Sequence, residues 1–156
     1  AGRSERGLEI SMIAVVDVEA TIGYSLSVQQ TPACEATSER TRVDAYLDHL
    51  RATRAALPAT VRHLVGDGFY SKRKWVDGVQ DLNLEVIGKL RHDANLKYLY
   101  DGPQKAKGAP RKYDGKVDLA DRSRWKALGK VNADRDLYLY TAIVWSVSFK
   151  CKIRVV

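Results

Sequence analysis

The sequence predicts an α/β fold built on a mixed sheet, and three observations predict it. Two segments near the start have strand character and flank a four-residue turn. Two later segments repeat their apolar residues at helical spacing. Each of those is followed by a short apolar run. The resulting order is strand, strand, helix, strand, helix, strand. It implies an antiparallel hairpin joined to parallel strands through right-handed crossovers.

The elements follow in chain order. Leu8 to Val16, LEISMIAVV, is rich in Ile, Val and Met and reads as a buried strand. Asp17 to Ala20 is a turn. Thr21 to Gln29 alternates Ile22, Tyr24, Leu26 and Val28 with small or polar residues, which is strand period. Pro32 ends the strand, and Thr37 or Ser38 is the expected cap of the first helix. Val43, Tyr46, Leu47, Leu50 and Leu57 then share one helical face, and Asp44, Asp48 and Arg51 lie opposite. Pro58 marks the exit. Val61 to Val65 is a short apolar strand. Ser71 is placed to cap a second helix, Lys72 to about Leu82, with Trp75, Val76 and Val79 inward. Leu84 to Leu90 reads as a strand again. From Leu96 the chain turns basic and rich in Gly and Pro. Leu137 to Val147 and Phe149 to Val156 close it as two strands. In the second, Lys150, Lys152 and Arg154 alternate with apolar residues.

Composition narrows the classes of function. The net charge of +7 favours a polyanionic partner, nucleic acid being the simplest, or else a generic basic surface. All six glutamates lie at or before Glu85, so the C-terminal part has none. Cys34 and Cys151 are far apart and form no ligand pattern with His49, His63 or His92, which argues against structural zinc. His49 and His63 read as structural residues. No apolar run approaches the ~20 residues of a membrane helix, so no membrane partner is expected and the cytosol is the default location.

The candidate site is Gly66-Asp67-Gly68, at the end of a predicted strand and ahead of Phe69, Tyr70 and the basic run Lys72, Arg73, Lys74. Ligands in open α/β sheets bind beyond the carboxyl ends of strands. The flanking glycines would permit a sharp turn and a close approach. One reading makes Asp67 a ligand to a divalent cation that bridges to phosphate. The other makes it the cap of a tight strand-to-helix turn. Lys72, Arg73 and Lys74 are either phosphate contacts or a solvated helical turn. Trp125, among Arg122, Arg124 and Lys126, either packs or stacks on a base.

The segment LVGDGFYSKRKWVDGVQDLNLEVIGKLRHDANLKYLY resembles the second-aspartate region of DDE-type insertion-sequence transposases. An apolar strand ends in Asp, an aromatic pair and a helix follow, and a further strand runs into Lys89-Leu90-Arg91-His92-Asp93. The preceding hairpin and the segment GPQKAKGAPRKYDGKVDL also resemble that family.

The resemblance implies a ribonuclease H-like mixed sheet that lacks its first strand and last catalytic helix and carries a basic β-rich insertion. Residues 1–95 would be the partial core, and residues 96–156 the insertion and following strands. It further implies metal-dependent DNA cleavage and strand transfer with Mg2+ or Mn2+, on transposon ends and target DNA. A homodimer and a nucleoid-associated, prokaryotic setting are implied as well. Asp67 matches the second catalytic carboxylate and metal ligand. Lys72, Arg73, Lys74, Lys89, Arg91, Lys105, Lys107, Arg111 and Lys112 are the implied DNA contacts.

The first family Asp would lie upstream of Ala1, because Asp17 falls in the hairpin turn. No glutamate follows Glu85 to supply the third carboxylate, and Tyr138 is followed three residues later by Thr141 where the family has Arg. The chain opens without Met and ends in an apolar, basic stretch, so a piece of a longer reading frame, inactive alone, is expected. The alternative is a non-catalytic DNA-binding remnant of a decayed element.

Overall fold

The computed structural model describes residues 7–33, 39–132 and 135–156. The chain divides into two compact units, Ala1–Lys89 and Leu90–Val156. The expected cap at Thr37 or Ser38, and Cys34, lie outside the described residues.

The first unit is α/β. β1 (Ile10–Asp17) and β2 (Ile22–Gln30) form the expected antiparallel hairpin. The Asp17 carboxylate accepts from the backbone N–H groups of Glu19 and Ala20, at 3.0 and 2.9 Å. That bonding is what a turn residue does, and Asp17 has no further role visible here. A bulge follows Ile13 and re-aims the strand.

α1 (Arg42–Thr53) starts at Thr41. There the Asp44 carboxylate accepts from both the Thr41 N–H and its hydroxyl, at 2.7 and 2.8 Å. β3 (His63–Gly66) and β4 (Glu85–Gly88) pair in parallel, with α2 (Arg73–Gln80) between them. α2 ends where Asn83 takes a left-handed φ of 56° and the Leu84 N–H returns to the Val79 carbonyl. Ser71 does not cap α2. Its hydroxyl donates instead to the Lys89 carbonyl at 2.7 Å, because the Gly68–Tyr70 turn carries it toward the end of β4.

The helices supply the core. Val43, Leu47, Leu50, Leu57, Trp75, Val79 and Leu84 are buried together. Ile13 and Val15 of β1, Leu64 of β3 and Val86 of β4 pack on that cluster. Each large apolar side chain removed from water stabilises the fold by about 1.5–3 kcal/mol.

Two expectations are corrected by this arrangement. Leu8 to Val16 is not a buried strand. Only alternate residues face the helices, and Ile10, Met12 and Val16 remain 59%, 62% and 64% exposed. The strand at Asp67 is likewise half-covered, since Val65 is 75% exposed. The hairpin and the parallel pair are also two separate two-stranded sheets. They are joined through the shared helical core rather than by a hydrogen-bonded ladder.

Two local devices hold the helices. A Cβ on Gly78 would lie 2.7 and 2.8 Å from the two Leu47 methyl carbons, so glycine in mid-helix lets α2 approach α1. His49, fully buried, places its two ring nitrogens 2.8 Å from the hydroxyls of Ser11 and Ser27, which ties α1 to both strands of the hairpin.

The second unit is a five-stranded antiparallel sheet. Its strands are β5 (Leu96–Leu99), β6 (Tyr113–Lys116), β7 (Lys126–Asn132), β8 (Arg135–Ser146) and β9 (Cys151–Val155). The order is β6-β5-β8-β7, with β9 also on β8. β8 and β9 match expectation. β5 and β6 lie in the Gly- and Pro-rich stretch that the resemblance made a β-rich insertion, and β7 follows it; YDGK and KALGKVN have weak strand propensity, so pairing with neighbours decides their state. Leu96, Tyr98, Val117 and Val144 are buried with Ile153, Val155 and Trp125 against them. The Trp125 indole N–H donates to the Tyr98 hydroxyl at 3.2 Å, so Trp125 packs. No helix among the described residues is long and apolar enough to cross a membrane.

Burial lowers the pKa of His49 from its ordinary 6.5. The unfolded chain therefore takes up a proton at His49 before the folded chain does. Urea unfolding should show this part of the stability in full above about pH 6.5 and losing ground as the pH falls below it, with the loss absent in His49→Gln. Gly78→Ala should destabilise the chain by about 1–3 kcal/mol through overpacking on Leu47, read from the same titration.

Candidate functional site

Asp67 stands one residue beyond the end of β3, and Lys89 one residue beyond the end of β4. The parallel register sets Gly66 opposite Gly88, so both residues emerge at the same edge of the pair. One Asp67 oxygen accepts from the Phe69 N–H at 2.8 Å and caps the short 3-10 turn Gly68–Tyr70. The other oxygen has no hydrogen-bond partner among the described residues. The bond to the Phe69 N–H is the capping reading of Asp67. One oxygen holds the turn, and the second is exposed and open to a ligand.

The flanking glycines act otherwise than expected. Neither adopts a positive φ. A Cβ at residue 66 would lie 3.0–3.3 Å from the Tyr70 side chain, so Gly66 is there to let Tyr70 fold back on the strand end. A Cβ at residue 68 would lie 3.7 Å from the Lys89 carbonyl, which is ordinary contact.

Behind the turn is an aromatic cluster. Tyr70 lies 4.6 Å from Trp75, 5.3 Å from Phe69 and 5.7 Å from Tyr46, centroid to centroid. The Tyr46 hydroxyl donates to the Glu9 carboxylate. That bond pushes the Tyr46 phenol up to about 12. Arg42 also reaches Glu9, at 3.3 Å. Burial raises the Tyr70 phenol, with the charges of Asp67 and Glu9 adding to it. Glu9 thus lies close to the site but is held by Tyr46 and Arg42. Its place beside the aromatic cluster is a tertiary result with no signal in the sequence.

The nine expected DNA contacts are placed unevenly. Lys72 lies over the Phe69 ring, 3.7 Å from its centroid. Arg73 pairs with Asp77 at 3.1 Å, and Lys74 with Asp44 at 2.5 Å. The Lys74 ammonium is the main reason the Asp44 carboxyl titrates far below the usual range. Lys72 and Lys89 are therefore the cations by Asp67 with no carboxylate partner among the described residues.

Arg91 belongs to the second unit, where it forks onto Asp93 at 2.9 and 3.0 Å. Arg111 pairs with Asp114 at 2.5 Å and lies over Tyr100. Lys105, Lys107 and Lys112 are exposed and form no ion pair among the described residues. Their loop is clasped at its neck. The Gln104 side chain donates to the Arg111 carbonyl and accepts from the Arg111 N–H, at 2.9 and 2.8 Å.

Residues 26–147 match the family described as DDE superfamily endonuclease. The chain belongs to that family. No curated protein and no solved structure matches it. Membership brings a transposase-type nuclease function with DNA as substrate, and DDE nucleases in general use divalent metal ions.

A divalent cation such as Mg2+ takes six oxygens, one or two of them from carboxylates and the rest from waters and substrate phosphates, and a pair of such ions needs several carboxylates between them. Among the described residues no group of three or more His, Cys, Asp or Glu side chains is arranged to hold one. One exposed Asp67 oxygen is open to a cation, and the described residues do not complete a metal site around it.

Asp67→Asn keeps the oxygen that accepts from Phe69. It should leave stability within about 0.5 kcal/mol of the parent chain. Asp67→Ala removes the cap and should cost about 0.5–2 kcal/mol. Thermal unfolding of the two variants separates the structural duty of Asp67 from any ligand duty.

Proposed function

We propose that this chain is part of a DDE transposase, with a ribonuclease H-like core, that carries out metal-dependent DNA cleavage and strand transfer in DNA transposition. The supporting observation is the exposed, uncommitted oxygen of Asp67 at the carboxyl edge of a parallel strand pair, beside Lys89 and Lys72. Mg2+ or Mn2+, when bound, would neutralise charge on the phosphodiester and make an oxygen nucleophile available at neutral pH. Asp67 would supply one ligand oxygen to it. Lys72 and Lys89 would hold phosphate oxygens as compact point charges. The Gly68–Tyr70 turn, fixed by Tyr70 against Gly66, would keep Asp67 in place while DNA enters. Lys105, Lys107 and Lys112 would contact DNA backbone phosphates. The working form would be a homodimer on paired DNA ends, in the prokaryotic cytoplasm with the nucleoid.

The chain by itself would not cut DNA, because Asp67 is the one carboxylate that the described residues would bring to the site, and one cannot order the ions that phosphodiester chemistry requires. That same observation favours a second reading, a non-catalytic DNA-binding remnant of an insertion element.

Mn2+ broadening of backbone NMR signals separates the two. With duplex DNA bound, Mn2+ should broaden residues around Gly66–Tyr70 in the parent chain and not in Asp67→Asn, while plasmid nicking stays absent in both. No selective broadening would leave only the DNA-binding reading. Nicking by the parent chain that disappears in Asp67→Asn would show that a complete site exists and would overturn the single-carboxylate account.

A further inference from the structure

The sheet of the second unit has two unlike faces. Leu96, Tyr98, Val144, Ile153 and Val155 form the inner face and its core. Residues directly opposite in a ladder share a face, and the register therefore assembles the other side. Lys97 is opposite Lys116 on β6 and Trp145 on β8, and Trp145 is opposite Lys152 on β9. Ile143 is opposite Arg154 in the next row. Side-chain contacts agree with this assignment. The Lys97 ammonium is 5.1 Å from the Tyr113 ring, and Tyr113 is 5.8 Å from Trp145, centroid to centroid.

The outer face thus carries Lys97, Lys116, Lys152 and Arg154 around Tyr113 and Trp145. None of the four cations has a carboxylate partner among the described residues. The nearest acid on these strands, Asp114, is turned away. It is held by Arg111 at 2.5 Å and by Arg124 at 3.0 Å, and Arg124 lies over the inner-face Tyr98. β5, β8 after Asp136, and β9 contain no acidic residue.

We propose that this outer face binds an unpaired DNA strand, with phosphates on the four cations and a base against Trp145 and Tyr113. The proposal rests on the reading of DNA as the substrate and adds to it a second surface, distinct in sequence from Asp67. Charge complementarity selects a polyanion. The rings select among polyanions, because stacking needs a free base face, which a duplex hides within its own stack. From Lys116 to Lys152 the row crosses three strand spacings, about 14 Å, which accommodates a few nucleotides. Ile143, 44% exposed beside the rings, extends the apolar strip that an unstacked base would cover.

The test is fluorescence anisotropy with the full chain, a labelled oligo-dT of about 12 nucleotides and a duplex of equal length, over a range of salt. The parent chain should bind the single strand more tightly. Lys152→Ala with Arg154→Ala should weaken it about tenfold and reduce the salt slope by about 1.4, or 0.7 per lost phosphate contact. Trp145→Leu should weaken the single strand several-fold and leave the duplex unchanged.

Circular dichroism checks the fold of each variant, and the two exposed cations keep the test valid if Trp145→Leu does not fold. Equal losses on single strand and duplex, or no loss in either variant, would overturn the proposal while leaving the DNA reading intact. Equal binding of polyglutamate would overturn it in favour of a general polyanion surface. Failure to bind DNA in any form would overturn both readings together.

Discussion

The close approach of α1 and α2 is the constraint on which the first unit depends. Leu47 occupies the space that a side chain at residue 78 would need. A glycine in mid-helix costs about 0.5–1 kcal/mol of helix stability. Burial of Leu47, Leu50, Trp75 and Val79 around the contact outweighs that cost. Both strand pairs lie on this helical platform. Ile13 and Val15 seat the hairpin, and Leu64 and Val86 seat the parallel pair. No ladder links the two pairs among the described residues, so packing on the shared core sets where the end of β3 stands. Asp67 inherits its position from that packing and its local geometry from Tyr70 against Gly66.

Charge has a similar hierarchy. The chain is strongly basic, yet many of its cations are already matched. Arg73, Lys74, Arg91, Arg111 and Arg124 each meet a carboxylate. Exposed pairs of this kind contribute little to stability, typically below about 1 kcal/mol. Their effect here is to sort the positive charge. Among the described residues, cations without a carboxylate partner include Lys72 and Lys89 in the first unit, and in the second the lysines of the clasped loop and the four cations on the outer face of the sheet. The sum of charges in the sequence could not show that sorting, because it depends on which side chains meet in space.

The parts of the fold legible in the sequence were those governed by local pattern. The spacing of Val43, Tyr46, Leu47 and Leu50 gave one face of α1, buried but for the half-buried Tyr46, whereas Leu57 is buried in extended backbone beyond the helix end. Trp75, Val76 and Val79 behave the same way in α2. Alternation in the last strand correctly separated Lys152 and Arg154 from Ile153 and Val155. Legibility failed where a neighbour decides. Leu8 to Val16 looked buried because it is apolar, but helices cover only one of its faces. YDGK looked like a turn because Asp and Gly are poor strand formers, yet pairing with β5 makes it a strand. Thr41 caps α1 because Asp44, three residues on, can reach back to it.

For the candidate site the division is the same. The sequence by itself determined that a lone aspartate follows an apolar strand and precedes a basic helix, and that no glutamate follows Glu85. It determined the family as well, since residues 26–147 carry that match. Only the tertiary structure decided which Asp67 oxygen is taken by the Phe69 N–H and which is open. It alone withdrew Arg73 and Lys74 into ion pairs, brought Lys89 to the same edge as Asp67, and aligned Lys97, Trp145 and Lys152 across three strands. The physical reason is range. Periodicity and turn chemistry act over a few residues, whereas hydrogen-bond occupancy, ion pairing and cross-strand register depend on groups far apart in the chain.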